Sequence, residues 1–431
     1  MEGAMPTKSL LSLAVATFLL FAFPARSQMP PPAAQMPPVQ LPDGNGKDQV
    51  QKLCTTCHGL NMLAFGGHTR EGWDDVLYMM TNLGAQLPQD QFPMLEDYLA
   101  KNFPEKPMPP AVVVPGSVQV SIEEWPVPTK GSRPHDPLVA PDGSIWYTGQ
   151  MANVLGRFDP KTKQFKEYRL KTPGSGPHGL VADKDGNIWF TANFKAYIGK
   201  LDPKTGDVTE YPMPDPAARD PHTLIFDPKG TIWFTAQGAD MVGKLTPKTG
   251  EIKLVHVPTP RANPYGMVVN SKGVPFFVEF GSYKVASIDP ETMEIHEYVL
   301  PHQDSRPRRA AITPDDVIWY SDYGRGYLGR LDPKTGETKE WPSPGGPKSQ
   351  PYGITAIKNI IWYSESGVKP NTMVRFDPAT EKFQTWVIPS GGGVVRNMMA
   401  TKDGDIWLAC SGVNGIGVVH VKGSSKTGQG N

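Results

Sequence analysis

The chain has 431 residues, a formal net charge of zero at pH 7 and three cysteines. That length exceeds the size at which one hydrophobic core usually stops growing, so two domains or one large repeat fold are expected. Zero net charge without a basic stripe gives no basis for a nucleic-acid or acidic-membrane partner, and three cysteines are not the even set of a disulfide-held exported fold.

At the N-terminus, Lys8 precedes the uncharged run LLSLAVATFLLFAF, which stops at Pro24 before Ala25-Arg26-Ser27. This order reads as a secretory signal peptide over residues 1–27. The run is shorter than the roughly 20 residues of a bilayer-spanning helix. No later segment is longer or more apolar, so a periplasmic or otherwise exported protein is expected, without stable membrane insertion after cleavage. Residues 28–44, rich in Pro, Gln and Met, read as an extended tether.

Residues 45–104 carry the sharpest motif, Cys54-Thr55-Thr56-Cys57-His58. CxxCH is the attachment signal for c-type haem: two thiols one turn apart each reach a porphyrin vinyl group, and the adjacent His58 stands beneath the iron. Zinc would need two further ligands at suitable spacing, and a thioredoxin-like CxxC does not need the histidine. One covalent haem c is therefore expected, with Cys54, Cys57 and His58 holding it. A thioether is the usual sixth ligand opposite His in electron-transfer cytochromes; Met62, Met79, Met80, Met94 and Met108 are the candidates.

The order Trp73, Val76, Met80, Gly84-Ala85, Leu87 and Tyr98 to Pro104 resembles the small haem domain of quinohaemoprotein amine dehydrogenases, over residues 47–104. The resemblance implies an all-α cytochrome c domain in which the ligand Met stands four residues before the Gly-Ala pair, at Met80. Met79 is its competitor, and because adjacent helical residues point about 100° apart, only one of the two can face the iron.

Residues 105–117, with Pro107, Pro109, Pro110 and Pro115, read as a stiff linker. From residue 118 to 421 the chain repeats. An apolar residue followed by an aromatic recurs at Ile145-Trp146, Ile188-Trp189, Ile232-Trp233, Pro275-Phe276, Ile318-Trp319, Ile361-Trp362 and Ile406-Trp407, at spacings of 43, 44, 43, 43, 43 and 45. Units of this length with four short strands are propeller blades. The fold class is thus mainly β, a small all-α cytochrome c domain followed by a seven-bladed β-propeller and a flexible tail over residues 422–431. The last unit lacks a fourth strand, which Trp125-Pro126 should supply by closing the ring.

The run Pro-His-Gly, Ile-Trp-Phe-Thr, Ile-Gly-Lys-Leu and Glu-Tyr-Pro over residues 177–212 resembles virginiamycin B lyase and its streptogramin-lyase-like propeller family, over residues 118–421. The resemblance implies catalysis by two histidines at the start of the innermost strands of the last two blades, by a glutamate near the end of the final blade's second strand, and by a magnesium ion. This chain departs there, offering Tyr352, Arg396 and Cys410.

Two rings are expected around one mouth of the propeller. Ten or eleven residues before each anchor aromatic stand His135, His178, His222, Tyr265, Arg308, Tyr352 and Arg396; three residues after it stand Gly149, Ala192, Ala236, Glu279, Asp322, Glu365 and Cys410. The candidate catalytic set is His135, His178, His222, Glu279, Asp322 and Glu365, with Tyr265, Arg308, Tyr352 and Arg396 as substrate contacts. Three imidazoles on successive blades could take a second metal, zinc or copper. Arg308 and Arg396 either receive an anionic substrate or pair with Asp322 and Glu365. Cys410 is expected as a small buried residue.

Three functions follow as expectations. The first is haem electron transfer, with the propeller binding or oxidising a small-molecule electron donor or docking a redox partner protein. The second is a lyase or lactone hydrolase that carries a cytochrome. The third is a non-catalytic propeller that only positions the haem.

Overall fold

The computed structural model describes Met1 and residues 39–422. The expected signal peptide beyond Met1, the tether as far as residue 38 and the tail from residue 423 lie outside the described residues. Residues from Leu41 onward form one compact unit.

Four helices come first: α1 (Lys47–Cys54), α2 (Asn61–Phe65), α3 (Arg70–Asn82) and α4 (Phe92–Asn102). Thr69 caps α3 by accepting from the Gly72 amide at 3.1 Å, satisfying a donor that would otherwise be orphaned. Trp73 and Leu77, four apart on α3, bury one face against Phe92, Leu95 and Leu99 of α4 and Val50 of α1. Two polar ties lock the ends: Trp73 Nε1 donates to the Phe103 carbonyl at 3.0 Å, and the Tyr98 hydroxyl donates to the Pro42 carbonyl at 2.6 Å.

The remaining strands form seven four-stranded antiparallel sheets, the blades of a propeller. In each blade the anchor stands at the start of the second strand, and from the anchor onward every residue of that strand is buried, from Ile145–Gly149 to Ile406–Cys410. The anchor aromatic stacks on an aromatic of the same blade's outer strand: Trp146 on Tyr168 at 5.3 Å, Trp189 on Tyr211 at 5.4 Å, Trp319 on Trp341 at 5.5 Å and Trp362 on Trp386 at 5.5 Å. In the last blade, Trp407 stacks on Trp125 at 5.9 Å. Trp125 belongs to the strand Gln119–Pro126, which pairs with Gly415–Lys422 and so closes the ring. Two third-strand glycines show how tightly the second strand's next aromatic lies over them. A Cβ at Gly156 would stand 1.9 Å from the Tyr147 ring, and one at Gly329 2.0 Å from the Tyr320 ring.

The segment between helices and propeller lies on blade six. The Lys369 amide donates to the Pro109 carbonyl at 2.9 Å, and Val114 and Thr385 exchange backbone and side-chain bonds of 2.7 and 3.0 Å. Helix α3 meets the propeller at a second place. Asn82 donates to the Lys130 carbonyl at 2.8 Å, Lys130 pairs with Asp74 at 3.0 Å, and Gly131 leaves no room for a Cβ beside the backbone of Met79.

Candidate functional site

All seven residues of the first expected ring stand second in the innermost strand of their blade, from His135 in Pro134–Val139 to Arg396 in Val395–Ala400. In four of the seven blades a hydroxyl on the preceding blade helps fix this position. Thr148 Oγ1 donates to the His178 carbonyl at 2.8 Å, Thr191 to that of His222 at 2.7 Å, Thr235 to that of Tyr265 at 2.9 Å and Ser321 to that of Tyr352 at 2.8 Å. Side chains of consecutive blades therefore meet in a funnel of about 290 Å³, whose wall includes His135, His178, His222, Tyr265, Arg308 and Arg396.

The imidazoles pack one against the next, with their planes tilted by 42° and 46°. Ring centroids lie 3.6 Å apart for His135 and His178, 3.7 Å for His178 and His222, and 3.9 Å for His222 and Tyr265. Burial holds all three histidines well below the usual imidazole range, helped at His135 by Arg396 and Arg309 and at His222 by His178 and Arg309. They are neutral donors and acceptors at neutral pH. Beyond Tyr265, its hydroxyl meets that of Tyr352 at 2.5 Å. Burial would raise the Tyr352 phenol, but Arg308, Arg396 and Arg309 outweigh it and lower the group below its ordinary range.

The second ring lies elsewhere. Glu279, Asp322, Glu365 and Cys410 are fully buried, and neither they nor Gly149, Ala192 and Ala236 are on the funnel wall. Glu365 accepts from Ser343 and the Gly345 amide, both at 2.6 Å, and from Thr372 at 2.6 Å. Asp322 accepts from the Arg306 amide at 2.9 Å and pairs with Arg325 at 3.3 Å, and Glu279 accepts from Ser282 at 2.6 Å. The reason is the two-residue period of a strand: residues three after the anchor face into the blade packing, and residues four after it face the mouth. The funnel wall accordingly takes Gln150, Asn193, Gln237 and Phe280, a set recognisable in the sequence by the same count plus one.

The expected pairing of Arg308 with Asp322 and Arg396 with Glu365 does not form. Arg325 takes Asp322, while the Arg308 guanidinium lies among four rings, 3.8 Å from the centroid of Tyr352, 4.3 Å from Tyr323, 4.8 Å from Phe280 and 5.2 Å from Tyr265. Beneath the histidines lies a pair that the ring count passes over. Arg309 and Asp136 meet at 2.8 Å across the propeller axis, and Asp136 also meets His135 Nδ1 at 2.8 Å.

For a second metal, the ligand atoms of His135, Asp136 and His178 lie within 4.8 Å of one another. Against a cation stand the four guanidinium groups of Arg133, Arg308, Arg309 and Arg396, which lower the His135 imidazole by their charge. Such a field favours an anion over a metal ion.

The sequence profile of the virginiamycin B lyase family matches residues 116–279 and 276–428. The chain belongs to this family. A streptogramin B lyase structure is 28% identical with a TM-score of 0.65, covering 70% of this chain and 98% of that one. The virginiamycin B lyase from Staphylococcus aureus, selenomethionine-substituted, is 24% identical with a TM-score of 0.64, over 70% of this chain and 99% of its own. Hydrazine synthase of Kuenenia stuttgartiensis shares the fold at 13% identity and a TM-score of 0.59, over 68% and 97%. No curated protein is a significant match to the chain. Family membership thus covers the propeller and leaves the helices and their CxxCH to be read from their own residues.

There, Cys54 ends α1 and is partly buried against the cluster that contains Trp73 and Leu77, while Cys57 and His58 are exposed in the turn that follows. Met80 continues the Trp73–Leu77 face of α3, three residues beyond Leu77. Met79 is on the other side, with its sulfur 3.9 Å from Arg133 Nη1 of the propeller.

Proposed function

We propose that the chain is an exported c-type haem protein that transfers electrons, and that its lyase-family propeller binds the small molecule, or docks the protein, that exchanges electrons with it. The donor set supports this reading. Cys54 and Cys57 are free thiols, and His58 Nδ1 lies 3.1 Å from the Gly59 carbonyl. A carbonyl beside Nδ1 keeps the proton there and leaves Nε2 as the lone pair for a metal. The residues fit covalent haem: Cys54 and Cys57 would carry the thioethers, and His58 and Met80 would be the axial ligands. When bound, the haem supplies one-electron transfer at a potential raised by the thioether ligand. Met80 is favoured over Met79 because the Met79 sulfur is turned to Arg133.

The propeller's part is to hold its ligand next to the helices. Arg133 both lines the funnel and touches α3, so a molecule in the funnel is close to the helix that carries Met80. Protein exported by a host that matures c-type cytochromes should be coloured and should keep its pigment in acidified acetone. A colourless product, or a Cys54→Ala, Cys57→Ala variant that keeps the parent's absorption spectrum, would overturn the reading.

Family membership favours a second reading, a lyase of the kind for which the relatives are named. One of them is a catalytically inactive variant of the Staphylococcus aureus enzyme with quinupristin. The positions to which the resemblance assigns catalytic histidines and a glutamate hold Tyr352, Arg396 and Cys410 here, and elimination needs a base at the reacting carbon. Turnover of quinupristin without any change in the haem spectrum would establish this second reading instead.

A further inference from the structure

We infer that the funnel binds a small organic carboxylate through the guanidinium groups of Arg133, Arg308 and Arg396. All three line the funnel, and none has a carboxylate partner among the described residues. The Nε atoms of Arg308 and Arg396 are buried without any hydrogen-bond partner. Other arginines of the same propeller are matched: Arg309 by Asp136 at 2.8 Å, and Arg325 by Glu340 at 2.9 Å and Asp322 at 3.3 Å. Leaving a half-buried guanidinium unpaired costs stability, and a bound anion offsets that cost. Asp220 is the acid on the wall, but it accepts from the Asn193 amide, and burial lifts it to about 6. Three cations against one carboxylate leave the funnel positive.

Its chemistry selects within anions. The four rings hold the Arg308 guanidinium in place, and its Nε, buried without a partner, is left to donate to a carboxylate oxygen. His178 Nδ1, also buried without a partner, adds a neutral polar contact. The Phe280 ring on the wall offers a surface for a carbon skeleton that a bare inorganic ion would not use. A volume of about 290 Å³ lies at the lower end for small-molecule sites.

Titration calorimetry on the full-length exported protein tests this, with succinate as the probe and succinamide and inorganic phosphate as comparisons. Succinate should bind one per chain and at least about tenfold more tightly than either. Arg396→Gln, and Arg308→Lys, which keeps the charge but loses the fork, should each weaken it about tenfold or more. Lys348→Gln, on the same face but outside the funnel wall, should leave binding unchanged. Arg396 has no partner to lose, so Arg396→Gln without succinate should melt at or above the parent's temperature. Absence of binding, tighter binding of phosphate, unchanged affinity in both arginine variants, or a large loss of melting temperature in Arg396→Gln would each overturn the inference. Calorimetry does not depend on the haem: a colourless protein that binds succinate sinks the electron-transfer reading alone, and a coloured one that binds none sinks this inference alone.

Discussion

Arg133 Nη1 lies 3.9 Å from the sulfur of Met79, so a residue of the propeller mouth touches the helix that carries both Met79 and Met80. On α3, Asp74, Tyr78, Met79 and Asn82 face the propeller, where Lys130, Gly131 and Arg133 meet them. Trp73 and Leu77 fall on the face turned into the helical cluster, which the Tyr78 ring also reaches, and helical spacing places Met80 on the side of Trp73 and Leu77.

This division predicts opposite outcomes for two conservative changes. Met80→Leu should lower the haem midpoint potential and alter the absorption spectrum, because a thioether opposite His raises the potential. Met79→Leu should leave both near the parent's values. Spectroelectrochemistry on the two purified variants checks this, and the reverse result would assign the ligand to Met79.

Ring closure predicts a stability effect at a residue far from the funnel. Trp125 stacks on Trp407 at 5.9 Å and packs at a tilt against Phe158 at 4.9 Å, and Lys163 lies 4.4 Å from its ring. Trp125→Ala should cost about 3 kcal/mol, by loss of buried ring contacts and the space left behind. Thermal unfolding should show a melting temperature lower by several degrees, and an unchanged value would mean that the Gln119–Pro126 strand is not needed for closure.

The propeller was legible in the sequence because a buried anchor aromatic recurs in every blade, in five of them as a tryptophan stacked on an aromatic of its outer strand, and Trp125 supplies that partner ahead of the first blade. The mouth was legible only in part. His135, His178, His222, Tyr265, Arg308 and Arg396 do share one funnel wall. Glu279, Asp322 and Glu365 were misplaced because one residue of register at a strand end separates the wall from the blade interior. Arg309 and Asp136 escaped notice because their contact spans 173 positions and lies one residue beyond the positions counted. Arg308 and Asp322 stay apart because Arg325, three residues after Asp322, reaches that carboxylate locally.

Glu279 predicts a pH-dependent gain. Burial lifts its carboxyl from 4.5 to about 7. Between those values the native chain holds a proton that the unfolded chain has released, so stability falls as pH rises through this window and levels off above it. Glu279→Gln removes the ionisation and can still accept from Ser282. Its melting temperature should match the parent's at pH 4.5 and exceed it by about 5 °C at pH 8, from a free-energy difference of about 2–3 kcal/mol. Equal melting curves at pH 8 would show that Glu279 ionises in the native state without cost.

The packed histidines predict the opposite slope on the acid side. His135, His178 and His222 are buried among Arg133, Arg308, Arg309 and Arg396, with Asp136 as the nearby acid, and all three are held well below the usual 6.5. As pH falls below 6.5, the unfolded chain takes up protons that the native imidazoles refuse. Stability present above 6.5 is therefore lost toward the folded-state values, by up to about 1.4 kcal/mol per pH unit for each imidazole. His178→Asn removes one of the three, and its Nδ1 has no hydrogen-bond partner to forfeit. Between pH 6.5 and 5 the variant's melting temperature should fall less steeply than the parent's, by about a third of the imidazole contribution to the slope. An anion in the funnel should reduce the loss in both proteins, because it favours protonated neighbours and lowers the repulsion among the guanidinium groups. Parallel acid limbs for parent and variant would mean that the His178 imidazole is charged in the native funnel, contrary to the neutral imidazoles described above.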